Sequence, residues 1–351
     1  MTNAAQQPPC AEQSVLLRLI NGYQISQAIH VIVVLGIPDL LGDRALPADM
    51  LAERTGSHPQ ALHRVLRALA ATGVLAEGAK GFSLAPLGRA LRSDCGCSRN
   101  AWARFALRPA HWQAWGAMLH TVRTGENAFR AIHGMDVWSY RAAHAMEGAT
   151  FDAAMQERSA CLGRALPTYY DFSQLRRIVD VGGGNGALLG ALLQHYAGAH
   201  GTLLDLPAVV KGAGQLLAAA GVGERCSIVA GDFFKAVPTG GDAYLLKHIL
   251  HDWPDAEALA ILRRCRLGME DGARLLIIER LLGAPSNGGE TELSDLNMLI
   301  NAGGHERSKA EFADLLTGAD FAIAATYALP HGQHLIEALP VSGSKVPGRQ
   351  S

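Results

Sequence analysis

"VDVGGGNGALL" (Val179–Leu189) runs from an apolar strand through four glycines into an apolar helix. Gly182, Gly183, Gly184 and Gly186 remove side chains where the backbone must turn tightly and lie against a ligand. The helix behind them offers free N–H groups and a partial positive charge, which suits a carboxylate or a phosphate. The loop alone is ambiguous, because Gly182, Gly184 and Ala187 also satisfy the dinucleotide fingerprint.

Outward from this loop, strand and helix patterns alternate. Strands are expected at "RIVDV" (177–181), "HGTLLDL" (200–206), "CSIVAGD" (226–232), "AYLLKHI" (243–249) and "RLLIIER" (274–280). The intervening helices include "NGALLGALLQHY" (185–196), "PAVVKGAGQLLAAAG" (207–221) and "AEALAILRRCRLGM" (256–269). Short apolar strands between amphipathic helices predict an α/β fold, a doubly wound, Rossmann-like parallel sheet covered on both faces. Its ligands belong at the C-terminal strand ends. "TYALPHGQHLIEAL" (326–339) could add a late hairpin at the sheet edge.

Those strand ends are acidic. Asp205 ends the second strand and could hold a ribose. Asp232 and Phe233 follow the third, an acid for an exocyclic amine and an aromatic for a purine. Asp180 adds a carboxylate near the glycine loop. A carboxylate-rich cleft suits a cationic sulfonium ligand better than a pyrophosphate, which argues against the rival reading, an NAD-dependent dehydrogenase.

The first hundred residues read differently. "SVLLRLINGYQISQAIHVIVVLGI" (Ser14–Ile37) is apolar around most of its face, which predicts a largely buried helix. "PADMLAERTG" and "HPQALHRVLRALAATGVL" form a helix–turn–helix, with Pro59 suited to the first helical turn and Gly73 to the end. "LAEGAKGFSLAPLGRAL" reads as a hairpin, completing a winged-helix arrangement. A DNA-binding regulator is therefore the competing class. Its recognition helix would carry Arg64 and Arg67 on a mostly Leu, Val and Ala surface, a poor match to base edges. Residues 101–170 read as helical and rich in aromatics, some of which could line a pocket for a flat ligand.

Composition sets the outer limits. The 351 residues are 49% hydrophobic and 18% charged, with a formal net charge of −1, so a large core is available and a strongly electrostatic nucleic-acid partner is not expected. "MTNAAQQPPCAEQ" lacks signal-peptide regions and "VIVVLGI" is too short to span a bilayer, so a cytoplasmic protein without a membrane partner is expected. Among the six cysteines only Cys95 and Cys97 are close, so no zinc site and free thiols in a reducing compartment are expected.

"VDVGGGNG", "LLDLP", "GDFF", "LLKHILHDWPD", "IIER" and "GGHERSKAEF" occur here in the order and spacing of the S-adenosylmethionine-dependent O-methyltransferases of the plant caffeate and bacterial antibiotic type. The resemblance covers nearly the whole chain. It implies a helical, winged-helix-containing dimerisation domain over residues 1–100, a helical linker over 101–170 contributing to the acceptor pocket, and a catalytic domain over 171–351. It implies a homodimer of secondary-metabolite or antibiotic biosynthesis, with phenazine O-methyltransferases as one similar group. Gly182, Gly183 and Gly184 would lie against the methionine part of the cofactor, Asp205 would take the ribose hydroxyls, Leu206 would lie beside the adenine, Asp232 and Phe233 would contact it, and Lys247 would touch the cofactor. The product would be S-adenosylhomocysteine.

"LLKHILHDWPD" (Leu245–Asp255) then gains a role. His251 and Asp252 lie just past the fourth strand, at the ligand-binding edge. A phenol is a poor nucleophile, and a neutral imidazole can accept its proton as the oxygen attacks. Alignment of oxygen, methyl and sulfur supplies much of the acceleration and needs no metal. Glu279 ends the fifth strand, where a surface ion pair with Arg280 is the alternative, and Glu306 follows the helix "ELSDLNMLINAGG" (292–304). In the resembled family both glutamates flank the histidine. Asp252 would bind the acceptor hydroxyl or hold the loop. Met298 and Asn301 on that helix, and Met155, are further candidates to line the pocket of a small hydroxylated aromatic acceptor. Methyl transfer to nitrogen or carbon, or a regulator without catalysis, remain the alternatives at this level.

Overall fold

The computed structural model of the protein describes residues 10–285 and 289–341. Most of the amino-terminal stretch read for a signal peptide, residues 1–9, lies outside the described residues. The chain forms two compact units that divide between Arg108 and Pro109.

The first unit opens with α1 (Cys10–Ile20), α2 (Gly22–Val34) and α3 (Ile37–Leu41). The single buried helix expected over Ser14–Ile37 is thus broken at Asn21 and again at Gly36, which takes φ +70°. Nor is it largely buried: Leu16, Leu19 and Ile20 are 57%, 73% and 61% exposed, and only Ile32 and Val33 of α2 are buried. An all-round apolar pattern says that a surface needs covering, but not that the same chain covers it. α4 (Ala48–Thr55) and α5 (Pro59–Ala71) form the expected helix–turn–helix, with Pro59 opening α5 and Gly73 at φ +77° beyond its end. α5 turns Leu62, Leu66 and Leu69 inward and leaves Arg64 and Arg67 exposed. β1 (Leu75–Gly78) and β2 (Gly81–Leu84) pair antiparallel as the hairpin, and α6 (Asn100–Phe105) follows.

The second unit begins with four short helices, α7 (Pro109–Gly116), α8 (Met118–Thr124), α9 (Ala128–His133) and α10 (Val137–Ala143), and the long α11 (Ala145–Ala165). Strand–helix alternation follows as β3 (Arg177–Val181), α12 (Ala187–His195), β4 (His200–Asp205), α13 (Pro207–Val210), α14 (Ala213–Ala219), β5 (Cys226–Ala230), β6 (Ala243–Lys247), α15 (Asp255–Gly268) and β7 (Arg274–Leu282). The one helix expected over 207–221 is two, interrupted at Lys211 and Gly212. The chain ends as α16 (Glu290–Asn297), β8 (Arg307–Ser308), α17 (Lys309–Thr317), β9 (Phe321–Ala328) and β10 (Gln333–Pro340).

The strands order as β5-β4-β3-β6-β7-β10-β9, with β8 beside β7. β3 to β7 run parallel, and β10 pairs antiparallel with both β7 and β9, which is the expected edge hairpin. Leu245 packs with α11, α12 and α14 residues such as Leu162, Leu189 and Leu217, while Leu246 packs with α15 and α17 residues such as Ile261 and Phe312. Both faces of the sheet are therefore covered. The chain order reverses between β3 and β6, and the crevice above such a switch point is where a sheet of this kind takes its ligand. Of the cysteines expected as free thiols, Cys95, Cys226 and Cys265 are free, whereas Cys97 and Cys161 each take part in a disulfide, against that expectation.

Candidate active site

The glycine loop leaves β3 at this switch point. Gly182, Gly184 and Gly186 take φ of +71°, +65° and +82°, conformations that other residues rarely adopt. A side chain on Gly182 would run into Ile249, and one on Gly183 into Asp180. Asp205 braces the turn: its Oδ2 accepts the Gly184 N–H at 2.8 Å and its Oδ1 the Leu206 N–H at 2.7 Å. Asp180 is buried beneath the loop with Oδ2 unpartnered among the described residues, and burial next to Asp205 pushes its carboxyl up to about 7. Burial likewise lifts Asp205 to about 6, against the backbone bonds it accepts. Asp232 accepts the Phe234 N–H at 2.9 Å, Phe233 is partly buried, and Leu206 is 50% exposed.

The segment after β6 supplies the other wall. Lys247 donates to Ser159 Oγ of α11 at 3.2 Å, and burial brings its amine down to about 7. A 3-10 turn, Leu250–Asp252, then carries His251. Glu279 does not end β7 as expected but lies within it, three residues before Leu282; fully buried, it caps that turn, its Oε1 accepting the N–H groups of Ile249 and Leu250 at 3.0 and 2.9 Å. Charge-assisted bonds of this kind contribute about 1.5–3 kcal/mol each. Its Oε2 lies 3.4 Å from His251 Nδ1, and Arg280 pairs instead with Glu290 at 3.4 Å. The surface-pair alternative for Glu279 therefore does not hold.

His251 Nδ1 is 2.9 Å from Glu306 Oε1, which also accepts from Ser294 Oγ at 2.7 Å. Asp252 Oδ1 stands 3.7 Å from His251 Nε2, beyond hydrogen-bond reach. Burial opposes a charge on His251, but Glu279, Glu306 and Asp252 overcome it and push the imidazole up to about 10. Burial lifts the Glu279 carboxyl to about 7, and lifts Asp252 above the usual carboxylate range. Burial works on Glu306 in the same direction, but His251 and the Ser294 bond hold it below that range. Ligand atoms of His251, Glu279 and Glu306 lie within 4.8 Å of one another, a spacing that would also admit a divalent cation.

Around this pair the remaining candidates are spread out. Met298 and Asn301 are buried on a π-helical turn, Met298–Ala302, that continues α16. Asn301 Nδ2 donates to Asn297 Oδ1 at 2.9 Å and its Oδ1 has no partner among the described residues. Met155 is partly buried on α11, one turn before Ser159. Trp253 faces Trp138 with planes 17° apart and centroids 6.2 Å apart, and Phe233 and Phe234 meet it edge-on.

A family model for the O-methyltransferase domain matches residues 115–322, and one for the O-methyltransferase dimerisation domain matches residues 17–94. The chain belongs to the O-methyltransferase family. It is 38% identical to a phenazine O-methyltransferase of Lysobacter antibioticus over 93% of this chain and 96% of that one. It is 40% identical to a mitomycin biosynthesis 6-O-methyltransferase of Streptomyces lavendulae over 85% of this chain and 86% of that one. The solved structure of the mitomycin 7-O-methyltransferase MmcR matches with a TM-score of 0.86 at 36% identity, covering 95% of this chain and 98% of that one.

The methyltransferase cleft fits S-adenosylmethionine in its chemistry. A glycine cradle with no room for a Cβ at Gly182, an orphaned buried carboxylate oxygen on Asp180, and acids at the ends of β4 and β5 suit a cation that carries ribose hydroxyls. Several residues that build the methyltransferase site escaped the sequence reading. Arg307 is 1% exposed and donates to the Leu250 and Trp253 carbonyls and to Asp255, each within 2.9 Å, tying the Glu306 segment to the His251 turn. Gly304 lies so close to the His251 carbonyl that no side chain fits there. Asp295 accepts the Glu306 N–H at 2.8 Å. No helix among the described residues is long and apolar enough to cross a membrane.

Proposed function

We propose that the methyltransferase transfers a methyl group to a phenolic hydroxyl of a small, planar, polycyclic aromatic metabolite, with His251 as general base. The observation that carries this is the buried His251–Glu306 pair at 2.9 Å, with Nε2 outside hydrogen-bond reach of Asp252, its nearest carboxylate on that side. Relatives that act on phenazine and mitomycin compounds support a polycyclic acceptor, with a phenazine as one such class. The second unit's helices between residues 109 and 165, with Met155, and the turn bearing Met298 and Asn301 would form its pocket.

S-adenosylmethionine supplies the methyl group on a positively charged sulfur. Gly182, Gly183 and Gly184 would receive its methionine part, Asp205 the ribose, and Leu206, Asp232 and Phe233 the adenine, with Lys247 nearby. His251 donates Nδ1–H to Glu306, which fixes the tautomer and leaves Nε2 for the acceptor. With three carboxylates around it His251 keeps a proton at neutral pH, and a further positive charge in the cleft lowers that affinity. Only the neutral imidazole so produced can take the proton of a phenol, whose own pKa lies near ~10. Glu279 and Glu306 then stabilise the imidazolium that forms. The remaining acceleration comes from alignment and requires no ion.

We also propose a cytoplasmic homodimer, supported by the dimerisation-domain match and by the exposed apolar side chains of α1. Mass spectrometry of reactions with hydroxyphenazines, flavonoids, anthraquinones and catechols tests the reading. An O-methylated product from a fused-ring class is expected. A methyl on nitrogen or carbon, or no product while the cofactor binds, would overturn it.

A further inference from the structure

His248 leaves β6 at φ +55°, a region non-glycine residues enter at a cost of about 1–3 kcal/mol. Histidine tolerates it better than most. Its N–H donates to the Ile278 carbonyl at 3.0 Å, so the strained residue is pinned to β7. The side chain is buried, and its Nε2 has no hydrogen-bond partner among the described residues. The ring lies against His251, with centroids 5.3 Å apart and planes 28° apart, an offset stack. Burial, reinforced by Lys247, Arg158, His251 and Arg280, keeps His248 neutral, so the face it offers His251 carries no charge. Strain and an orphaned nitrogen persist here while the ring stacks on the catalytic candidate. His251 itself is tethered at Nδ1, and a ring held at one edge can still pivot.

We propose that His248 is a positioning residue, whose stacked ring, fixed by the left-handed turn, holds the His251 imidazole in the plane that keeps Nδ1 on Glu306 and Nε2 toward the acceptor. The inference rests on the reading of His251 as the base. It assigns His248 no contact with the acceptor.

His248→Asn tolerates the same backbone and removes the ring; His248→Phe keeps a ring and removes both nitrogens. With the full-length enzyme, His248→Asn is expected to lower kcat about 10- to 100-fold, the scale of a small misplacement of a reacting group, with KM for the cofactor unchanged. His248→Phe is expected to recover most of that loss. In the cofactor-free protein, the downfield proton resonance of His251 Nδ1–H is expected in wild type and His248→Phe and absent in His248→Asn. If His248→Asn does not fold, His248→Gly replaces it. Wild-type kcat and an intact Nδ1–H signal in the ring-less variant would overturn the proposal, as would a His248→Phe enzyme as slow as His248→Asn. If His251→Ala keeps full activity, the base reading fails, while the proton resonance still decides whether His248 orients the ring.

Discussion

The loops after β3 and β6 leave adjacent strands, yet they are made of different material. The first is backbone: glycines at positive φ, braced by Asp205 through main-chain N–H groups. The second is side chain: His251 held by Glu279 and Glu306, 28 and 55 residues further along the chain, with Arg307 and Gly304 closing the Glu306 segment onto it. A backbone cradle can accept a ligand that every turnover shares. A proton relay needs titratable groups whose charges shift one another, and those must come from several strands. The division predicts that binding and proton chemistry separate under mutation.

The largest effect on the backbone side is expected from Gly183→Val, whose side chain would meet Asp180. Overpacking of about 1–3 kcal/mol weakens cofactor binding roughly 10- to 100-fold. Calorimetric titration measures it, and the His251 Nδ1–H resonance should stay unchanged. A lost resonance would show that the two halves are one unit.

Glu306→Gln probes the other side. His251 is raised by its carboxylates, so removing one lowers its pKa, by about 1–2 units for a neighbouring charge. The rising limb of kcat/KM with pH, where His251 loses its proton, should therefore move to lower pH, with the plateau reduced and cofactor affinity kept. A limb that stays put would separate Glu306 from the titration.

Arg307→Leu leaves the Leu250 and Trp253 carbonyls without their donor. At about 1–3 kcal/mol for each buried group left unsatisfied, the thermal midpoint should fall by several degrees in a melting scan. Leu206→Ala is the smallest change: a half-exposed side chain at the proposed adenine site should alter cofactor affinity by about 1 kcal/mol or less.

This contrast also explains what the sequence made legible. The glycine loop, the β3–β7 alternation and the wing are local patterns of spacing, and they appear where expected. Glu279 was readable as an acid carried by the fifth strand, but its tie to His251, and that of Glu306, became readable only through resemblance, because no periodicity links them across 28 and 55 positions. Nothing local in the sequence singles out Arg307, and Gly304 reads as a helix end, until a second segment packs on them. His248 reads as a strand residue, since its left-handed φ has no signature in "LLKHILHD". The apolar pattern of α1 and α2 was visible, but whether the same chain covers it was not.

The most direct measurement is single-turnover methyl transfer by wild type and His251→Ala, from neutral to alkaline pH, with an acceptor identified by mass spectrometry. The mutant should be slower by about 100- to 10,000-fold at neutral pH and regain part of the loss as the acceptor hydroxyl ionises near ~10. Cofactor affinity should be unaffected. Equal rates at neutral pH would contradict the assignment of His251 as the base and leave alignment alone to drive the transfer.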